Sequence, residues 1–153
     1  MNLQSYLDES GVHYHLSYHP AAYTAQDLAA AEHIPGRRVV KHVLVQADGH
    51  FVLCALPAPY KIDLQELRAQ LECASVQLAD EHHLASLFPD CQLGTVPPLG
   101  PAYGLQTLIE ESLLKLDQVT FQAGSHDAAI TLSLADYRRL SQAEVAHFGR
   151  PVV

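Results

Sequence analysis

Val39-Val40-Lys41-His42-Val43-Leu44-Val45-Gln46, then Ala47-Asp48-Gly49, then His50-Phe51-Val52-Leu53-Cys54-Ala55-Leu56: this stretch decides the fold. Two β-rich runs flank an Asp-Gly step, the strongest short-range signal of a β-hairpin. Pro57 and Pro59 stop the second run, because proline cannot donate to a sheet ladder. Towards the N-terminus, Thr24-Ala25-Gln26-Asp27 has capping-box spacing and opens a helix from Ala25 to about His33, ended by Ile34-Pro35-Gly36. Before it, His13 to Tyr18 alternates as a strand. Leu3 to Ser10 reads as a short helix, with Leu3 and Leu7 on one face and Gly11 as its stop.

Beyond the hairpin, Asp63 caps a helix through Leu71 that places Leu64, Leu67 and Leu71 on one face. Ser75 to Leu78 is a short strand. Asp80 caps a helix to Leu87, ended by Phe88-Pro89. Gln106 to Ile109, Val119 to Gln122 and Ala129 to Leu132 are further strands, and Ser133-Leu134-Ala135-Asp136 opens the last helix. The expected fold is of the α/β kind (α+β type). A mixed, largely antiparallel sheet of six to seven strands is curled, or closed into a barrel, with helices packed outside. Residues 1–153 read as a single domain without linker or internal repeat.

Composition narrows the function classes. Hydrophobic residues make up 48% and charged residues 17%, as in soluble globular proteins. No apolar run reaches the ~18 residues of a membrane span, so no membrane partner is expected. The N-terminus lacks the basic and apolar regions of a signal peptide. Cys54, Cys73 and Cys91 are odd in number and widely spaced, which fits a reduced, cytoplasmic setting. The net charge of −8 excludes a protein that grips long nucleic acid through its backbone, so DNA is not an expected partner. A local basic patch remains: Arg37, Arg38 and Lys41, followed by His42.

Three features carry possible chemistry. Lys41 lies in an apolar strand and shares a face with Val39, Val43 and Val45, so it must snorkel, pair with a carboxylate, or point into a site. Gly94-Thr95-Val96-Pro97-Pro98-Leu99-Gly100 is a stiff loop whose free N–H groups suit a carbonyl or oxyanion, and equally suits an ordinary tight connection. Gly124-Ser125-His126-Asp127 joins two strands. Its His126 can be a general base, a hydrogen-bond donor or a turn residue. Near the loop, Val96, Leu99, Tyr103 and Leu105 are either pocket wall or core. Ten histidines do not make a zinc motif: His13 and His15 alternate, His82 and His83 are adjacent, and neither spacing is a ligand spacing. Also absent are a G-x-S-x-G elbow, a P-loop, a G-x-G-x-x-G and a cysteine in a basic context.

Taken in order, Val39 to Val45, Asp48 to Leu53, Leu56-Pro57-Ala58, the Gly94–Gly100 loop, and Phe121 to His126 followed by Ile130-Thr131-Leu132 resemble the YbaK/ProX-type aminoacyl-tRNA editing domain. Gly94 and Pro98 match the ends of that family's G-x-x-x-P loop. The similarity runs from about Tyr23 to Leu140. It implies a free-standing deacylase that hydrolyses the ester between a wrong small amino acid (alanine, serine, threonine or cysteine) and the 3′ end of a tRNA. It implies neither metal nor other cofactor, and no covalent nucleophile. Lys41 would lie near the terminal phosphate or ribose. Backbone N–H groups around Gly94 would hold the ester carbonyl, and water would attack with help from the substrate's ribose hydroxyl. His126 matches a position lining the amino-acid pocket. Thr95, Val96, Pro97, Pro98, Leu99, Gly100, Gly124 and Ser125 would complete the substrate site. The implied partners are the aminoacyl-tRNA acceptor end and, where one supplies tRNA choice, an aminoacyl-tRNA synthetase. The alternative on the same fold is a silent module that binds tRNA or a synthetase. A hydrolase of other small acyl esters is a third reading.

Overall fold

The computed structural model describes residues 3–92 and 96–152. The central hairpin forms as its sequence dictates: β2 (Val40–Ala47) and β3 (His50–Pro57) pair antiparallel from Val40 opposite Pro57 to Ala47 opposite His50. Asp48 and Gly49 both take positive φ, 48° and 85°, which a two-residue primed turn requires. The Asp48 carboxylate then accepts the N–H groups of Ala74 and Ser75, which lowers its pKa and ties β5 (Val76–Leu78) to the β2 edge.

On its other side β3 pairs parallel with β6 (Gln106–Glu110), and β6 pairs parallel with β9 (Glu144–Ala146). This gives a five-stranded mixed sheet in the order β5-β2-β3-β6-β9. A second sheet, β1-β8-β7, is antiparallel throughout and consists of Tyr14–Tyr18, Ala128–Ser133 and Gln118–Gln122. A small pair joins β4 (Tyr60–Ile62) to β10 (Gly149–Pro151).

Among the described residues five α-helices surround these sheets: α1 (Leu3–Glu9), α2 (Ala25–Glu32), α3 (Leu64–Leu71), α4 (Glu81–Leu87) and α5 (Leu134–Ser141). Their starts follow the cap residues. The side chains of Thr24, Asp63, Asp80 and Ser133 each accept a backbone N–H from the first turn. The main core lies between the sheets and α5, where Tyr137, Phe121, Ile109, Ile130 and Leu113 are fully buried, and Leu7 of α1 closes it.

Two expectations are corrected. Among the described residues no sheet closes into a barrel. Among the described residues the strands number ten rather than about six or seven. All seven expected strands are present. The three added ones, β4, β9 and β10, are three residues each. Unlike the equally short β5, β9 opens on a glutamate and β10 is Gly-Arg-Pro, neither an apolar alternation, while β4 directly follows Pro59.

Candidate active site

Val39, just before β2, and Thr120 of β7 form an isolated parallel bridge, the one backbone bridge between the two larger sheets among the described residues. Beyond it the ladders go to other partners. Two residues further on, Lys41 and Gln122 keep the faces of Val39 and Thr120 because side chains repeat every second residue. Val39 is fully buried with Leu28 and Ala29 of α2 and with Ala58 and Ala129. Lys41 therefore lies just past the cover that α2 provides. There a cleft of about 140 Å³ opens, lined by Val40, Lys41 and His42 of β2, Gln122 of β7, Ala25 and Leu28 of α2, and by Tyr23 and Val96.

Lys41 is half-buried and desolvation lowers its pKa. Among the described residues it has no hydrogen-bond or ion-pair partner. An unpaired ammonium in this setting costs stability, so the fold offers no structural reason for it. His42 has the opposite character. Its Nε2 lies 2.7 Å from the Tyr137 hydroxyl, its ring meets Phe121 edge-on with centroids 5.7 Å apart, and burial pulls its pKa to about 3. His42 is thus neutral at pH 7, and Lys41 is the cation of the cleft.

The proline loop divides this cleft from a second. Val96 lines the Lys41 side. Pro97, Pro98 and Leu99, all buried, line a neighbouring space of about 210 Å³ together with Ala123, Gly124, Asp90 and Tyr103. The Tyr103 hydroxyl donates to Asp90 at 2.7 Å. Gly124, at φ 84°, makes the turn after β7, and its carbonyl accepts the Gln92 N–H. Leu99 is 1% exposed and belongs to the main core as well as to the cleft wall.

His126 is a buried residue rather than an exposed turn tip. Its N–H donates to Gln92 Oε1 at 2.8 Å and its carbonyl accepts the Ala22 N–H at 2.7 Å. Its ring packs against Tyr23 with centroids 4.7 Å apart. Tyr23 therefore links His126 to the Lys41 cleft. Ser125 lies apart, its hydroxyl donating to Asp127. Gly100 lines neither cleft. It begins a 3-10 turn against β6, where an added Cβ would lie 2.0 Å from Thr107 Oγ1. Gly94 and Thr95 fall outside the described residues. Sequence reasoning missed Tyr23, Gln122 and the neutral His42–Tyr137 pair. A lone aromatic before a cap residue and a glutamine at a strand end carry no periodic or motif signal.

Over residues 19–140 the chain matches the family model described as the aminoacyl-tRNA editing domain. This chain belongs to that family. A similar curated protein is the multifunctional Ser/Thr-tRNA deacylase ProXp-y of Escherichia coli strain K12, 30% identical over 100 residues. Those residues are 65% of this chain and 59% of that protein, so the match spans about three-fifths of the curated relative's length. Among solved structures, a provisional trans-editing enzyme for prolyl tRNA synthetase aligns with TM-score 0.86 at 22% identity, over 97% of this chain and 95% of that one. A hypothetical protein aligns equally well at 17% identity, over 98% and 100% of the two chains. At these identities the structures speak for the fold alone.

The editing-domain match contains Tyr23, Lys41, Gln122 and His126. A larger cleft of about 750 Å³ lies elsewhere, between the β4–β10 pair and the segment after β6, and reaches beyond the match. It holds Glu110, Glu111 and His147, the one trio of potential metal ligands among the described residues. Glu110 has a structural explanation. Its buried carboxylate accepts the N–H groups of Phe148 and Gly149 at 2.8 and 2.9 Å and so fixes the start of β10. Two of the cysteines are poor nucleophiles: burial pushes the Cys54 thiol up to about 12 and raises that of Cys91. Among the described residues, no helix is long and apolar enough to cross a membrane.

Proposed function

We propose that this chain hydrolyses the ester of a mischarged aminoacyl-tRNA, releasing a small amino acid (alanine, serine, threonine or cysteine) and restoring the free 3′ hydroxyl. The observation that carries the reading is Lys41, a half-buried cation without a partner among the described residues, lining a small cleft in a member of the editing-domain family. A phosphate at the tRNA 3′ end is the charge it lacks, and an ion-assisted contact of this kind is the stronger class of hydrogen bond. The deacylase name of the E. coli relative supports the same chemistry.

The mechanism follows from what an ester needs. Its carbonyl is already activated, so positioning and polarisation lower the barrier without a strong base. Lys41 holds the terminal phosphate. The backbone around Gly94, at the start of the proline loop, polarises the carbonyl. Water adds to the carbonyl carbon with help from the neighbouring ribose hydroxyl, and the bond from acyl carbon to ribose oxygen breaks. His126, reached through Tyr23, bounds the amino-acid side of the site. Neutral His42 places no second cation there. A synthetase that delivers the tRNA belongs to the same proposal.

The test is hydrolysis of a panel of aminoacyl-tRNAs by wild type and by Lys41→Ala, without added metal. One or two mischarged species should disappear rapidly. The variant should be roughly 10- to 150-fold slower in kcat/KM, as expected for removal of one charged hydrogen bond. A folded wild-type protein inert across the panel refutes the deacylase and leaves a binding module. Hydrolysis of free amino-acid esters that uncharged tRNA does not inhibit refutes the tRNA substrate.

A further inference from the structure

Tyr23 is an exposed aromatic built into a rigid frame. Its side chain is among the most exposed large hydrophobic groups of the described residues, at 69%, yet its neighbours are pinned. Ala22 is buried: its N–H donates to the His126 carbonyl, and its own carbonyl accepts Gln122 Nε2, each at 2.7 Å. Thr24 is the N-cap of α2. One face of the ring rests on His126 at 4.7 Å, and the hydroxyl has no partner among the described residues. The residue also lines the Lys41 cleft.

Nothing in the fold accounts for an aromatic at this point. Its burial stabilises little, and its hydroxyl ties nothing together. A flat apolar ring held still at a cleft that takes the end of a nucleic acid is what stacking on a base requires. Tyrosine also gives up little conformational freedom on binding, having only two side-chain torsions.

We infer that Tyr23 is a base-stacking residue for the 3′-terminal adenine of the tRNA substrate. The inference rests on the deacylase reading, which brings the acylated terminal ribose into the Lys41 cleft. The base attached to that ribose is then the one nearest to Tyr23. Stacking is tolerant of base identity, so Tyr23 supplies affinity and orientation, while the amino-acid pocket supplies choice. A tilted His126 beneath the ring fixes the height of the platform, which couples base position to the residue bounding the amino-acid side.

The experiment measures binding of an uncharged acceptor-stem minihelix, and of the same minihelix with an abasic terminal nucleotide, to wild type, Tyr23→Phe, Tyr23→Ala and Tyr23→Leu. Substitution at so exposed a position leaves the fold intact. Wild type and Tyr23→Phe should bind the intact minihelix about 5- to 100-fold more tightly than the abasic one. Tyr23→Ala and Tyr23→Leu should lose that preference while binding the abasic RNA as wild type does. Wild type with equal affinity for both RNAs, or Tyr23→Ala that keeps the preference, overturns the inference, as does wild type that binds neither RNA. Hydrolysis assayed in parallel separates the two proposals. A wild type that discriminates the base without hydrolysing any charged minihelix sinks the deacylase and leaves the platform standing.

Discussion

The His42–Tyr137 pair makes acid sensitivity a quantitative prediction. His42 is held near pKa 3 in the folded protein against about 6.5 in the unfolded chain. Below pH 6.5 the unfolded state takes up a proton that the folded state refuses, so stability falls as the pH falls. The stability tied to neutral His42 is complete above pH 6.5 and is lost progressively down to about pH 3. The slope approaches about 1.4 kcal/mol per pH unit, which integrates to about 2.5 kcal/mol between pH 7.5 and 4.5. The perturbation is the double substitution His42→Leu with Tyr137→Phe, which removes both hydrogen-bonding partners together and keeps apolar volume in the core. Urea unfolding at the two pH values is the assay. At pH 7.5 the variant should lie within about 1 kcal/mol of wild type, and at pH 4.5 wild type should have lost about 2.5 kcal/mol more than the variant. Asp48, Asp63 and Asp80, whose pKa values are lowered by backbone N–H groups, also lose stability in acid. They are common to both proteins and cancel in the difference. Parallel losses in the two proteins would refute the claim that the folded protein holds His42 neutral.

Other outcomes follow from the same geometry. Desolvation lowers the Lys41 pKa, so its charge is lost below the usual 10.5 as the pH rises. The kcat/KM profile, corrected for spontaneous ester hydrolysis, should show an alkaline limb that Lys41→Arg abolishes. Lys41→Met should leave urea stability unchanged or raised, because it removes a desolvated charge without breaking a pair. Arg37 and Arg38 sit in the 3-10 turn leading into β2, free of any ion pair among the described residues. Replacing each with alanine should weaken minihelix binding and reduce the salt slope by about 0.7 for every phosphate no longer neutralised. Gly100→Ala should destabilise by about 1–3 kcal/mol or more in urea unfolding. Its Cβ would meet Thr107 Oγ1 at 2.0 Å and the Leu105 carbonyl at 2.9 Å. Adding Thr107→Ala should restore only part of the stability, because the carbonyl stays in place.

The elements were legible where a local rule is strong. Capping residues at Thr24, Asp63, Asp80 and Ser133 placed four helix starts, and the Asp48-Gly49 turn placed the hairpin with its register. What stayed hidden depends on tertiary contact. Glu144 to Ala146 becomes a strand because β6 offers it an edge, and Gly149 to Pro151 does so where the Glu110 carboxylate fixes the backbone beside Tyr60. A barrel was a fair extrapolation from hairpins. Among the described residues the two larger sheets instead share one backbone bridge, Val39–Thr120, and no local pattern announces a bridge of one residue pair. Lys41 stood out because a charge interrupted an apolar strand. Tyr23 did not, because an exposed aromatic before a cap residue is locally ordinary.

That bridge also explains where the site lies. A sheet edge that pairs fully leaves no gap, and a closed barrel leaves none at its seam. Here a single backbone bridge links the two strands, after which β2 and β7 serve different ladders; on one face His42 meets Phe121, and on the Lys41–Gln122 face the space past Val39 and Thr120 is left as a cleft. The first side chains past the bridge on that face are Lys41 and Gln122, one a cation and the other an amide that anchors the Ala22 carbonyl. At about 140 Å³ the cleft is well below the roughly 300–1,000 Å³ typical of pockets that enclose a whole small ligand. It has room for little more than the reacting end of a substrate. On the proposed reading, further affinity comes from the exposed ring of Tyr23 in the cleft wall and from Arg37 and Arg38 outside it. A net charge of −8 is compatible with the proposed tRNA substrate, because repulsion over the rest of the surface would confine the contact to the few nucleotides that these residues reach.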